Sequence, residues 1–160
     1  MNVIYLDTNI LVASYAVDEA ENEKKALAER AFTVFQQLAD VELCTSMWAL
    51  SEMFNTLLRE KKMERGAVAE IASTLQRKKR LWNLKIKFVE VSPQKNYNFD
   101  DFFVDVGEAK HAYSSHLADA IHVVIMRNNS ITQILTFDGK WEVPGLTVLH
   151  PKDVKMAQEA

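Results

Sequence analysis

The sequence predicts an α/β protein: a mostly parallel sheet of about five strands with helices on both faces, in three layers. Three observations lead there. Val3–Leu6 is an unbroken apolar run, as expected of a parallel strand buried on both faces. Further short apolar or alternating runs recur at Val41–Thr45, Ile86–Val91, Ile131–Phe137 and Leu146–Leu149. Most are separated by segments of helical periodicity, which parallel crossovers need.

Taken in order, Thr8–Ala16 reads as a helix after the first strand, and Asp18–Asp40 contains a second, with Ala26, Phe32, Phe35, Leu38 and Ala39 as its apolar positions. Ser46 can cap a helix running to about Arg59. Another helix is expected over Glu64–Leu81, and Ser92-Pro93 ends the strand that follows it. Phe99–Tyr113 is helical, weakened by Gly107; Ser114 and Ser115 can cap the next helix, His116 to about Arg127. Asn128–Ser130 is a turn, and Pro151 ends the last strand.

The 160 residues fit one domain, 1–160, long enough for a substantial core. With 48% hydrophobic and 26% charged residues the balance is that of a soluble globular protein. No run approaches the roughly 20 apolar residues that cross a bilayer. The start has no basic region before Asp7, so no secretory signal is expected. A single cysteine, Cys44, excludes an intrachain disulfide and a cysteine zinc cluster, and reads as a core residue. These absences favour the cytoplasm and no membrane partner. Charge is uneven: Arg59–Lys87 holds ten Lys or Arg against three Glu, so within a net −3 that segment is +7 and the remainder −10. An acidic body with one basic segment suits a protein that gathers cations in one place and a polyanion in another.

Ligands of such sheets bind beyond the carboxyl ends of the strands. Asp7 follows the first strand and Asp138 the strand ending at Phe137. Each also has a plain structural role open to it, Asp7 as a helix cap and Asp138 as a turn residue beside Gly139. Asp119 is more telling. The segment His116–Met126 is apolar apart from His116, Asp119 and His122. At 100° per residue Leu117, Ala120, Ile121, Val124 and Ile125 make its main buried face, with Val123 and Met126 round the other side beside Asp119. A carboxylate in so enclosed a helix is costly unless paired, and a metal ion would pair with it. Glu52 is weakest by itself: Met47, Leu50, Phe54, Leu57 and Leu58 define the buried face of its helix, and Glu52 points away from it as a solvated residue would.

Together these positions resemble the PIN domain family. Leu6-Asp7-Thr8-Asn9-Ile10-Leu11-Val12 is similar to its opening motif, Ala49-Leu50-Ser51-Glu52-Met53 to its helical Glu, and His116-Leu117-Ala118-Asp119-Ala120-Ile121 to its helical Asp flanked by small residues. Thr136-Phe137-Asp138-Gly139-Lys140-Trp141 resembles its closing Thr-x-Asp motif. Four motifs in order span the chain. The resemblance implies a parallel sheet between helices, Mg²⁺- or Mn²⁺-dependent cleavage of RNA, and for small members the toxin role of a VapBC-type pair. Its partners would then be single-stranded or structured RNA and an antitoxin protein, with room for a homodimer. The long charged stretch Asp18–Lys25 and the aromatic Phe99–Phe103 depart from the pattern.

A hard divalent cation takes oxygen ligands, so Asp7, Glu52, Asp119 and Asp138 are the metal-binding and catalytic candidates, with Glu52 as ligand or water-orienting base. Thr8, Asn9 and Thr136 are candidates for the hydrogen bonds that hold those carboxylates. Arg77, Lys78, Lys79 and Arg80 are candidate RNA-phosphate contacts, with Lys85 and Lys87 nearby, against the alternative of a solvated helix end. Trp82 beside them suits a core role better than base stacking. His111, His116 and His122 are read as hydrogen-bonded structural residues. Two other functions are compatible with these residues: a non-catalytic binding module on the same fold, and a phosphotransferase using Asp7 as nucleophile. The latter usually carries a second Asp where this chain has Asn9.

Overall fold

Alternation along β1 (Asn2–Leu6) sets the layers. Ile4 and Leu6 face one core and Tyr5 the other, all almost completely buried. The computed structural model describes residues 1–113 and 116–155. On the Ile4 side pack α1 (Thr8–Tyr15), α2 (Asn22–Gln36), α3 (Met47–Arg59) and α4 (Arg65–Lys78). On the Tyr5 side pack α5 (Phe99–Tyr113) and α6 (Leu117–Asn128), and Cys44 is buried against them. The helix cap expected from Ser114 and Ser115 lies outside the described residues, as does the side chain of Leu117.

The sheet comprises β1, β2 (Val41–Ser46), β3 (Arg80–Leu81), β4 (Leu84–Val89), β5 (Gln133–Leu135) and β6 (Thr147–Leu149), in the order β3-β4-β2-β1-β5-β6. All neighbours are parallel except β3 and β4. The three-layer α/β class is as the sequence predicts, with six strands rather than about five. The additional strand, β3, lies where a helix was expected to continue to Leu81. Instead α4 stops at Lys78, because Lys79 turns left-handed (φ 50) and returns its N–H to the Leu75 carbonyl. Trp82 and Asn83 then form a tight turn with φ 50 and 65, the handedness that two-residue hairpins favour.

Other boundaries shift. The helix expected within Asp18–Asp40 is preceded by a 3₁₀ turn at Glu19–Glu21. The strand expected over Ile86–Val91 is β4, two residues earlier. The β5 strand is shorter than Ile131–Phe137, so Asp138 stands beyond it at the end of a loop while Asp7 directly follows β1. Among the described residues no helix is long and apolar enough to cross a membrane.

Candidate active site

The parallel strands end on one side of the sheet, and the site is built there. Asp7 is the N-cap of α1: its Oδ1 accepts from the Thr8 amide at 2.7 Å. Its Oδ2 accepts from the Thr136 hydroxyl (2.6 Å) and from Asn9 Nδ2 (3.2 Å). Asn9 also donates to Thr136 Oγ1 (2.9 Å), and its Oδ1 accepts from the Phe137 amide at 3.2 Å. The Asp138 amide donates to the same Thr136 oxygen at 3.0 Å. Thr136 and Asn9 therefore lock the loop after β5 to the end of β1, which fixes Asp138 relative to Asp7. Asp7 thus caps α1 and still lines the cavity at the strand ends. Asp138 likewise uses one oxygen in its turn, accepting from the Lys140 amide at 2.9 Å.

Glu52 departs from the solvated reading. Its side chain is only 22% exposed: Thr8 Oγ1 donates to its Oε2 at 2.6 Å, and His122 Nε2 lies 2.7 Å from the same oxygen. The helical face of α3 that periodicity marks as outward looks across at α1 and α6. Asp119 enters from the first turn of α6. Asp7, Glu52, Asp119 and Asp138 all line one cavity of about 420 Å³, together with Thr8, Asn9 and His122. Lys24 and Lys61 line it as well. Lys61 is anchored there by Glu21 (2.8 Å) and Asp18 (3.1 Å).

Burial and crowding show in the acids' proton affinities. Burial pushes the Asp7 carboxyl above the usual range, opposed by His122 and by the bonds from Thr136 and Thr8. Burial also pushes Asp119 up, opposed by His122 and reinforced by the charge of Asp138. Burial acts upward on Glu52 too, but the bonds from His122 and Thr8 outweigh it and hold that carboxyl below its usual value. Two acids disposed to keep a proton sit beside one disposed to lose it.

Among the described residues no three Asp, Glu, His or Cys side chains stand close enough to hold one ion directly. The donor set nevertheless fits a hard divalent cation. It is made of carboxylate oxygens on one cavity, and Mg²⁺ keeps several waters while using one or two carboxylates.

The sequence matches the PIN domain family over residues 4–145. The chain belongs to the PIN domain family. Among solved structures this PIN domain resembles the Mycobacterium tuberculosis toxin VapC20, described as cleaving the sarcin–ricin loop, at 18% identity and TM-score 0.60, covering 90% of this chain and 96% of that one. It also resembles VapBC2 from Rickettsia felis, solved bound to a fragment of promoter DNA, at 13% identity and TM-score 0.54, covering 92% of this chain and 98% of that one. Comparison with curated proteins gives no match.

Sequence reasoning underrated His122 in this PIN domain. It is a buried, hydrogen-bonded histidine as expected, but it stands inside the acidic cavity. Its Nδ1 lies 2.8 Å from the Tyr5 hydroxyl, which lies 2.6 Å from Ser46 Oγ, the N-cap of α3. An ionised Glu52 can only accept, so Nε2 carries the hydrogen whichever way the Tyr5 bond runs. The spacing of Asp119 and His122, one helical turn apart in an apolar helix, was the available clue. Lys24 and Lys61 were also missed. His111 and His116 are exposed. The run Arg77–Arg80 is not brought to the acids: three of its members line a separate cleft.

Proposed function

We propose that this PIN domain is a Mg²⁺- or Mn²⁺-dependent endoribonuclease that cuts single-stranded RNA and acts in the cytoplasm as the toxin of a toxin–antitoxin pair. The observation that carries the reading is the meeting of four carboxylates, from four separate segments of the chain, on one cavity. Such a set costs the fold repulsion and desolvation that a bound cation would offset, and that cation would in turn attract a phosphate-bearing substrate. The likeness in fold to a toxin described as cleaving the sarcin–ricin loop, and to VapBC2, supports the substrate and partner classes.

Divalent cations, when bound, supply an acidified water and offset charge on the phosphoryl oxygens. Asp7, Asp119 and Asp138 would hold them. Thr136 and Asn9 fix the direction of the Asp7 lone pairs, and so of whatever Asp7 holds. Glu52, kept ionised by His122 and Thr8, has one oxygen committed to them, which leaves Oε1 to take a hydrogen bond from an attacking water. Lys61 and Lys24, on the same cavity, are placed to meet a phosphate. Cleavage is expected to leave 5′-phosphate and 3′-hydroxyl ends.

The test is purified protein, free of any co-expressed inhibitor, on a broad RNA library with Mg²⁺ or Mn²⁺ and with chelator. Cutting only with metal, and growth arrest on expression without a partner, are the expected results. No metal-dependent cutting would sink the nuclease reading, and hydrolysis of phosphate esters instead would favour the Asp7 phosphotransferase.

His122 gives a second prediction. His122→Ala frees Glu52 from its donor while leaving Tyr5 bonded to Ser46. Loss of such an outer hydrogen-bond partner typically costs about 10–100-fold in metal affinity or activity. The metal midpoint of cleavage should move by that order, with His122→Gln, which can still donate to Glu52, recovering part of it. A lowered melting temperature with an unmoved metal midpoint would make His122 a packing residue only.

A further inference from the structure

The later part of the basic segment, from Lys78 to Lys87, folds into a platform remote from the acids. Lys78, Lys79, Arg80, Lys85 and Lys87 line one cleft in which Glu42 is the only acid among the described residues. The cleft lies at the opposite end of the sheet from the acidic cavity. Val3 is level with Glu42, and Leu43 with Ile86, which puts Lys85 level with Val3, four residues behind Asp7. At about 3.3 Å per residue and about 4.8 Å per strand, with β4 two strands from β1, the two sites are roughly 16 Å apart.

The bland account is a solvated helix end, and it covers only part of the cluster. Arg77 and Lys78 lie in the last turn of α4, where cations are favoured by the helix dipole. Arg80 and Lys85 come instead from the β3–β4 hairpin, facing each other across its two strands. That hairpin is pinned at its tip. Trp82 packs against Phe32 (6.5 Å between ring centroids), its indole N–H donates to Ser14 Oγ at 3.1 Å, and its carbonyl accepts from Gln36 at 2.7 Å. The left-handed Lys79 ties helix to hairpin, its carbonyl accepting from the Ile86 amide at 2.8 Å. Of the five cations only Lys87 is salt-bridged among the described residues, to the half-buried Glu42 at 3.9 Å. A positive platform held rigid on two anchored elements, in a chain whose remainder is −10, suits a polyanion that spans both regions.

We propose that this platform is a second RNA site, which holds the phosphates of single-stranded RNA flanking the segment in the acidic cavity. The proposal rests on the ribonuclease reading for the identity of its strand. A stacked strand rises about 3.4 Å per nucleotide, so about five nucleotides are the least that could reach from one site to the other. Substrate length, rather than sequence, is what the platform reads.

The test measures binding without cleavage, in chelator, by fluorescence anisotropy of labelled, unstructured oligouridylates. One probe is too short to span the sites, about four nucleotides, and one long enough, about 24. The variant Lys78→Gln, Lys79→Gln, Arg80→Gln, Lys85→Gln keeps the side-chain stems and removes the charges; a melting curve checks its fold, and the single variant Lys85→Gln serves if it fails. Wild type should bind the long probe more tightly than the short one, and the variant should lose that length dependence. Each engaged phosphate contributes about 0.7 to the slope of log K against log salt for a single strand, so the fourfold variant should flatten the long-probe slope by up to about 3 and Lys85→Gln by about 0.7. An unchanged affinity and slope for the long probe overturns the proposal. So does an equal loss for both probes, which would make the cations a diffuse field acting on the acidic cavity. Because no cleavage is measured, a platform that binds in a protein that never cuts would sink the nuclease reading alone.

Discussion

Asp7→Asn is expected to abolish divalent-dependent RNA cleavage while leaving the fold in place. Asparagine is as good an N-cap as aspartate, so α1 keeps its start and Thr8 its amide partner. What changes is the buried oxygen that accepts from Thr136 and Asn9. An amide there presents at most one lone-pair-bearing atom and carries no charge, so a cation held in this cavity would lose its most enclosed ligand. Losing a partner outside the ligands themselves costs about 10–100-fold, so losing this carboxylate should cost at least about a hundredfold in kcat/KM. The check is cleavage at saturating Mg²⁺ and Mn²⁺ beside a melting curve. A folded Asp7→Asn protein that cuts within tenfold of wild type would remove Asp7 from the chemistry and leave it a helix cap.

What could be read in advance and what could not have separate physical causes. The unbroken apolar β1 and the enclosed α6 were legible because full burial leaves a one-dimensional trace, and the acids at their ends stood out against it. Glu52 was legible only through the family resemblance, not from the periodicity of its helix. Periodicity reports which face of a helix is buried most, and Glu52 lies off that face, on a side enclosed only by the arrival of Thr8 and His122 from elements distant in sequence. His122 was discounted for the converse reason: a lone histidine in an apolar helix carries no mark of what its two nitrogens meet, and both partners, Tyr5 and Glu52, are set by the sheet order. The strand β3 was hidden because it depends on three left-handed residues, Lys79, Trp82 and Asn83, and only asparagine among these is a usual choice for such a backbone. The same turn carries the basic platform away from the acids, which the charge count alone could not tell.

Asp119→Asn is expected to stabilise, or at least not destabilise, the metal-free protein near neutral pH. The carboxyl of Asp119 is raised by burial and by the charge of Asp138, with His122 opposing. A raised folded-state value means the folded protein holds the proton more tightly than the unfolded chain does. That contribution to stability is full below the unfolded value, about 3.9, and is lost as pH rises through the raised folded value. At pH 7 the wild type therefore carries the cost of an ionised Asp119 in a crowded acidic cavity, and the neutral, nearly isosteric asparagine does not. The advantage of the variant should shrink as pH falls toward the ordinary aspartate range, where the wild-type group is itself neutral. Adding metal should reverse the order. A ligand that binds only the folded state at a hundredfold excess over Kd adds about 2.7 kcal/mol, roughly 5–10 °C in Tm for a chain of this size, and the variant should gain less. Thermal melts of both proteins at about pH 4 and 7, with chelator and with Mn²⁺, separate the possibilities. If Asp119→Asn melts well below wild type without metal, and metal shifts the two alike, Asp119 is a structural residue of α6 and the shared cation site excludes it.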